Sequence, residues 1–307
     1  MNPGHFRGGL RLALAVALAS LLGCGPKPQE QALQYAAAPL RPSAPVYRLA
    51  VHPLHNPQKL IQAYQPLVDL LNREMPDVRI ELEASRDYQA YEKKFSEREP
   101  AFLLPNPWQT LQAMKVGYRV LAMAGDADDF KGLIIVRKDS AIRQAADLKG
   151  KVVSYPSPTA IAAAVMPQYY LYKQGIDIRK DIQNHYVGSQ ESSIMNVYLG
   201  QSAAGATWPP PWRAFQKDHP AEAAQLQVLW QTPSLLNNSV MVRDDVPPAV
   251  GESFTKTLLG LPQTPQGRAV LSSMETSRFY EANDASYERV RDYIARFEKE
   301  VRPVEQK

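Results

Sequence analysis

The sequence predicts an α/β protein of two lobes joined by a two-strand hinge, with a cleft between them. Three observations carry this. Apolar strand-like runs alternate with segments of helical period. One strand pattern recurs about 100 residues after its first appearance. At 307 residues, 45% apolar and 21% charged, the chain is globular in composition and long enough for about two domains.

The chain opens with Arg7 and Arg11, then an apolar run over residues 12–22 broken only by Ser20. Eleven residues fall well short of the ~20 needed to span a bilayer, so the run reads as a secretory signal. It ends Leu21-Leu22-Gly23-Cys24, which resembles the bacterial lipobox, and Cys24 is the sole cysteine. The expectation is a signal segment over 1–23 and a lipidated Cys24. A flexible tether over 24–45, rich in Pro, Ala and Gln, then holds the body off a membrane surface.

A strand is predicted at 46–51, a turn-rich loop at 52–57, and then a helix carrying Leu60, Tyr64, Leu67, Val68 and Leu71 at helical spacing. Further strands fit 78–82 and 101–104, with a helix through Tyr88, Tyr91 and Phe95 between them. The short, wholly apolar 101–104 run is typical of buried parallel strands, so a mainly parallel sheet is expected. Residues 132–139 and 238–245 both end an apolar strand in Arg-x-Asp. They read as the paired crossover strands of the hinge. They bracket strands at 151–155, 185–187 and 226–230, with helices after Pro158 and over 191–199. Lobe I thus comprises 46–132 and 236–307, and lobe II 133–235. The amphipathic stretch 287–301 (Val290, Tyr293, Ile294, Phe297) is a helix expected to pack on the body.

Several chemistries are disfavoured. The formal net charge is only +4, two units of it from Arg7 and Arg11, so nucleic-acid binding is not expected. His52-x-x-His55 presents two nitrogens where a metal site needs three or four ligands, and a solvated loop is the simpler reading. Asp126, Asp128 and Asp129 lack calcium-loop spacing and read as a hydrated turn. Neither a nucleophile elbow, a Walker loop nor a dinucleotide fingerprint is present, and nothing points to an enzyme.

Asp87-Tyr88, the strand Ile134-Ile135-Val136-Arg137-Lys138-Asp139-Ser140 and Asp147-Leu148-Lys149-Gly150-Lys151-Val152-Val153 resemble the phosphate/phosphite/phosphonate-binding (PhnD-type) family. So do Gly188-Ser189, Gly205-Ala206-Thr207-Trp208 and Leu229-Trp230-Gln231-Thr232-Pro233. The resemblance runs from about Val46 to Asp245. It implies a type II periplasmic binding protein fold and the role of substrate-binding protein to an ABC importer. The family opens its second-lobe helix with Asp-Pro-x-Ser-Thr-Ser-Gly, whose hydroxyls and amides hold phosphonate oxygens. This chain has Ala160, Ile161 and Ala162 at the hydroxyl positions, with Ser157 and Thr159 just upstream. Gln190-Glu191 stands for the family's His-Glu pair, and Ala203 for an Asp. Tyr88 matches a ligand-binding tyrosine, while Phe130 keeps only the ring of another.

The expected ligand contacts are Tyr88, Asn106, Trp108, Phe130, Thr159, Ala160, Ile161, Gln190, Glu191 and Trp208. Tyr155 adds a further ring, and Glu191 is a counter-charge for a flat or cationic ligand. With the hydroxyls gone, simple phosphonates, phosphite and phosphate are expected to bind weakly. Cofactor and metal are not expected. The expected protein is a monomer, lipid-anchored in the periplasm or at the cell surface, and its partner is an ABC permease. A second reading stays open, in which it is a ligand-sensing subunit for a membrane-bound receptor such as a sensor kinase or cyclase.

Overall fold

Two mixed sheets organise the protein, which is described here from a computed structural model covering residues 44–304. The signal segment expected over 1–23, Cys24 and the expected tether up to residue 43 lie outside the described residues. The strands are β1 (Val46–Val51), β2 (Arg79–Glu83), β3 (Phe102–Leu104), β4 (Tyr118–Ala124), β5 (Leu133–Arg137) and β6 (Val152–Tyr155). They continue with β7 (Gln183–Tyr186), β8 (Ala204–Thr207), β9 (Leu226–Gln231), β10 (Ser239–Arg243) and β11 (Phe279–Glu281). The helices are α1 (Pro57–Glu74), α2 (Tyr88–Ser96), α3 (Pro107–Lys115), α4 (Met166–Lys173) and α5 (Gln190–Tyr198). After them come α6 (Pro209–Asp218), α7 (Pro220–Ala223), α8 (Pro248–Gly260), α9 (Pro265–Ser273) and α10 (Glu288–Glu300). A single π-helical turn, Ile161–Val165, runs directly into α4.

The first sheet has the order β11-β4-β10-β3-β1-β2 and the second β7-β6-β8-β5-β9. Two α/β layers therefore form, as the alternation predicts. The sheets are not mainly parallel, however. β2-β1-β3 and β7-β6-β8 are parallel, whereas β10 and β11 in the first sheet and β5 and β9 in the second run antiparallel to their neighbours. The two Arg-x-Asp strands also differ from expectation. They do not pair with each other: β10 lies between β4 and β3, and β5 between β8 and β9. Each occupies the same place in its own sheet, which explains the repeated pattern.

The chain passes between the sheets over residues 125–132 and again over 232–238. The two passages meet where the Gly132 amide donates to Thr232 Oγ1 at 2.8 Å and the Thr232 amide to the Gly132 carbonyl at 2.9 Å. In the acidic run beside them Asp128 is exposed, but Asp126 and Asp129 are not simply hydrated. Asp126 accepts from the Tyr280 hydroxyl, and Arg213 of α6 forks onto Asp129 at 3.0 and 2.8 Å while reaching Glu275 at 3.4 Å.

Helix α10 turns Val290, Ile294 and Phe297 inward, as its spacing predicts. Its far end also reaches the second layer. Tyr169 of α4 meets Tyr293 and Phe297 edge-on at 5.5 and 6.0 Å. Glu300 accepts from the Tyr169 hydroxyl at 3.1 Å and from Lys173 at 2.5 Å. The C-terminal segment is thus a third bond between the layers, where the sequence reading had two.

Candidate functional site

The loops at the ends of β1, β3, β6 and β8 converge between the two sheets, each followed by a helix start. β3 ends two residues before Asn106, which caps α3. Its Oδ1 accepts from the Gln109 amide at 3.0 Å, and its own amide donates to Gln109 Oε1 at 3.1 Å. That box leaves the Asn106 Nδ2 group to reach across the gap to the Thr159 carbonyl at 2.9 Å. Thr159 answers in the other direction, its hydroxyl donating to Glu92 Oε1 at 2.6 Å. A second bridge joins α2 to α5. Gln190 Nε2 donates to the Tyr88 hydroxyl at 3.2 Å while its Oε1 accepts from Thr207 Oγ1 at 2.9 Å. Tyr88 therefore keeps its own proton for another acceptor.

These bridges enclose a cavity lined by His52, Tyr88, Asn106, Phe130, Ala160, Ile161, Ala162, Ala163, Gln190, Trp208 and Asn238. It offers about 10 Å³ to the centre of a water, room for roughly one molecule. A larger solute does not fit this cavity as it stands. Phe130 and Trp208 meet edge-to-face at 5.4 Å on one wall. On another lies the helix start, whose first-turn amides at Ile161, Ala162 and Ala163 have no intrahelical acceptor and point with the positive end of the dipole.

Among the described residues, two titratable groups line the cavity, His52 and Tyr88. Burial pulls His52 down to about 4, the hydrogen bond to Leu104 opposing it, so the imidazole is neutral at pH 7. Its Nδ1 lies 3.0 Å from the Leu104 carbonyl. A carbonyl only accepts, so Nδ1 carries the proton and Nε2 is the free acceptor. Burial also pushes the Tyr88 hydroxyl up. Asn238 is 3% exposed, and its Oδ1 makes no hydrogen bond among the described residues. A buried amide oxygen left this way costs about 1–3 kcal/mol unless a solute or water meets it.

Of the residues singled out in the sequence, the structure brings Tyr88, Asn106, Phe130, Ala160, Ile161, Gln190 and Trp208 around this one cavity. Thr159 stands just behind them as a bridge. Three do not reach it. Trp108 lines a separate groove with Arg86, Lys93 and Gln112. Glu191 turns away from its neighbour Gln190 and pairs with His219 at 3.4 Å. Tyr155 lies fully buried on β6 against Tyr186. The sequence reading missed His52, Ala163 and Asn238, and Ala162, which it named as a matched position of the helix start, lines the cavity too. It placed His52 and His55 in a solvated loop, but they are 2% and 8% exposed. They also part company, His52 facing the cavity and His55 a groove beside the Lys59–Asp218 ion pair.

A family model described as the periplasmic substrate-binding protein of phosphonate ABC transporters matches residues 49–287. The probable ABC transporter phosphite binding protein PhnD1 of Prochlorococcus marinus (strain MIT 9301) is 24% identical over 187 residues, 56% of this chain. The chain spans 63% of that relative's length. In fold, it is similar to a binding protein component of an ABC phosphonate transporter from Pseudomonas aeruginosa, with a TM-score of 0.77 and 16% identity over 83% of this chain and 87% of the other. It is also similar to PhnD1 from Prochlorococcus marinus in complex with methylphosphonate, with a TM-score of 0.75 and 19% identity over 83% and 98%.

Proposed function

This chain belongs to the periplasmic substrate-binding proteins of phosphonate ABC transporters, and from that premise we propose that it carries a small tetrahedral anion to an ABC permease. Residues 46–132 and 236–307 act as one lobe and 133–235 as the other, closing on the solute and presenting the closed form to the permease. The observation that carries this reading is the Tyr88–Gln190 bridge, where matched positions from both layers meet at one buried cavity. A receptor-subunit role would use the same closed form and gains no separate support from the fold.

Affinity is expected to be modest. Ala160, Ile161 and Ala162 leave only backbone amides at the helix start, and each charge-assisted hydrogen bond lost is worth ~1.5–3 kcal/mol. Isothermal titration of the delipidated protein with methylphosphonate, phosphite and phosphate is expected to give dissociation constants weaker than ~100 μM, in line with those losses. Small-angle scattering at saturation is expected to show a smaller radius of gyration. A constant near ~1 μM would show that the amides suffice unaided. An unchanged scattering curve at verified saturation would remove the hinge mechanism, and binding of none of the three would remove the substrate class.

The same reading places the protein at a membrane through Cys24. Two or three acyl chains at ~0.8 kcal/mol per buried methylene hold a protein firmly. The Cys24→Ser variant is expected to move from membrane fractions to the soluble fraction, and continued membrane association would refute the anchor.

A further inference from the structure

Arg302 follows α10 and lies behind the loop that opens the candidate site. It is 6% exposed. Its Nη2 donates to the Pro158 carbonyl at 2.9 Å and its Nε to Gln168 Oε1 at 2.8 Å. Its Nη1 takes the carbonyls of Pro303 and Val304 at 2.7 and 3.1 Å. The rings of Phe297 and Tyr186 lie 5.3 and 5.9 Å from the guanidinium carbon. Every one of these partners is neutral, and among the described residues Arg302 makes no ion pair. Glu298, the neighbouring acid, is exposed and accepts from the Val304 amide at 3.2 Å instead. Burial pulls the guanidinium below its ordinary pKa, with Tyr186, Tyr155 and the nearby Glu298 carboxylate opposing the shift. It nonetheless stays protonated.

A buried charge without a counter-ion is costly, and neutral acceptors offset only part of that cost. Its position gives it a use. Pro158 precedes Thr159, the residue that bridges to Asn106 and Glu92, and Ala160, the first residue of the loop to line the cavity. Gln168 lies on α4 and Tyr186 closes β7. One guanidinium thus grips three elements that frame the helix start.

We propose that Arg302 is a specificity-determining positioning residue of this site. It pins the 157–160 loop through the Pro158 carbonyl and sets a buried positive charge, hydrogen-bonded only to neutral acceptors among the described residues, behind the amides of Ile161, Ala162 and Ala163, so that the cleft selects anions over neutral solutes of the same shape. The proposal rests on the substrate class given above and supplies what the missing hydroxyls do not, a full charge one layer deeper. Inside the protein such a charge is screened far less by salt than a surface lysine.

The test uses three tetrahedral solutes that differ chiefly in charge: methylphosphonate, methanesulfonate and neutral dimethyl sulfone. Full-length wild type, Arg302→Met and Arg302→Lys are titrated with each, after circular dichroism verifies folding. Wild type is expected to prefer the anions. In Arg302→Met the two anions are expected to weaken at least ~10-fold while the sulfone moves less than ~2-fold, and Arg302→Lys, which keeps the charge, is expected to restore most of the preference. A folded Arg302→Met with the wild-type ranking, or one that weakens all three equally, overturns the proposal. If Arg302→Met does not fold, Arg302→Lys decides: an anion-to-sulfone ratio within about threefold of wild type supports the proposal, and its collapse overturns it. Binding of none of the three by wild type overturns it together with the substrate class on which it rests.

Discussion

Phe102→Ala is expected to lower the free energy of unfolding by ~3–5 kcal/mol, the range for emptying a buried phenylalanine site. Phe102 is 0% exposed on β3, a strand flanked by β10 and β1. Its ring stacks on Phe254 with centroids 4.1 Å apart and an interplanar angle of 10°, and Tyr47 closes the other side edge-on at 6.2 Å. Strand backbone and a helix hold these neighbours, so the void has little freedom to collapse. Because β3 ends two residues before Asn106, the same change is expected to loosen the Asn106–Thr159 bridge. Urea denaturation measures the first effect, and a loss below ~1 kcal/mol would show that the pocket around Phe254 refills.

Gly132→Ala is expected to cost ~1–3 kcal/mol, the usual penalty for overpacking, and to weaken solute binding besides. A Cβ at this position would sit 2.7 Å from the Ala162 carbonyl oxygen and 2.8 Å from two ring carbons of Pro167. Neither neighbour is a flexible side chain. One is the backbone of the helix start that lines the cavity, and the other is a proline ring within α4. The displaced body is therefore the anion-facing turn itself. Gly260→Ala is the control, since its added methyl meets nothing within 4 Å. It is expected to leave both stability and binding near wild type. Denaturation and methylphosphonate titration on the same samples would separate the two variants, and unaltered binding by Gly132→Ala would show that the helix start tolerates the shift.

How much of this was legible in the sequence depends on how local each cause is. The two α/β layers follow from period-2 and period-3.6 patterning, and both come through. Strand direction does not, because an apolar run such as Leu133–Arg137 reads alike whether its neighbour is parallel or antiparallel. The Arg-x-Asp echo was real but meant equivalent places in two sheets. Tyr88 and Gln190 came from matched family positions, and they meet. Trp108 and Glu191 failed for a geometric reason. Glu191 follows the lining Gln190 by one residue and Trp108 follows the lining cap Asn106 by two, and each step rotates a side chain by about 100° around the helix axis. His52 carries no local sign of burial, since the turn after β1 is covered only by residues distant in sequence. Arg302 was invisible for the same reason, its partners lying 134 and 144 positions away.

The strand order also bears on how the chain assembles. The second sheet uses residues 133–231 without interruption, so a chain emerging N-terminus first has all five of its strands in hand before β10 and β11 appear. The first sheet has no such luxury. β10 belongs between β3 and β4, two strands made more than a hundred residues earlier, and until it arrives the unpaired edges of both face outward. Open strand edges are templates for wrong pairing. For an interval set by the rate of synthesis or export, the second sheet is complete while the first waits for β10 and β11. Aggregation and the demand for a holding chaperone should therefore concentrate on residues 46–124, the part of the body that is made first and completed last.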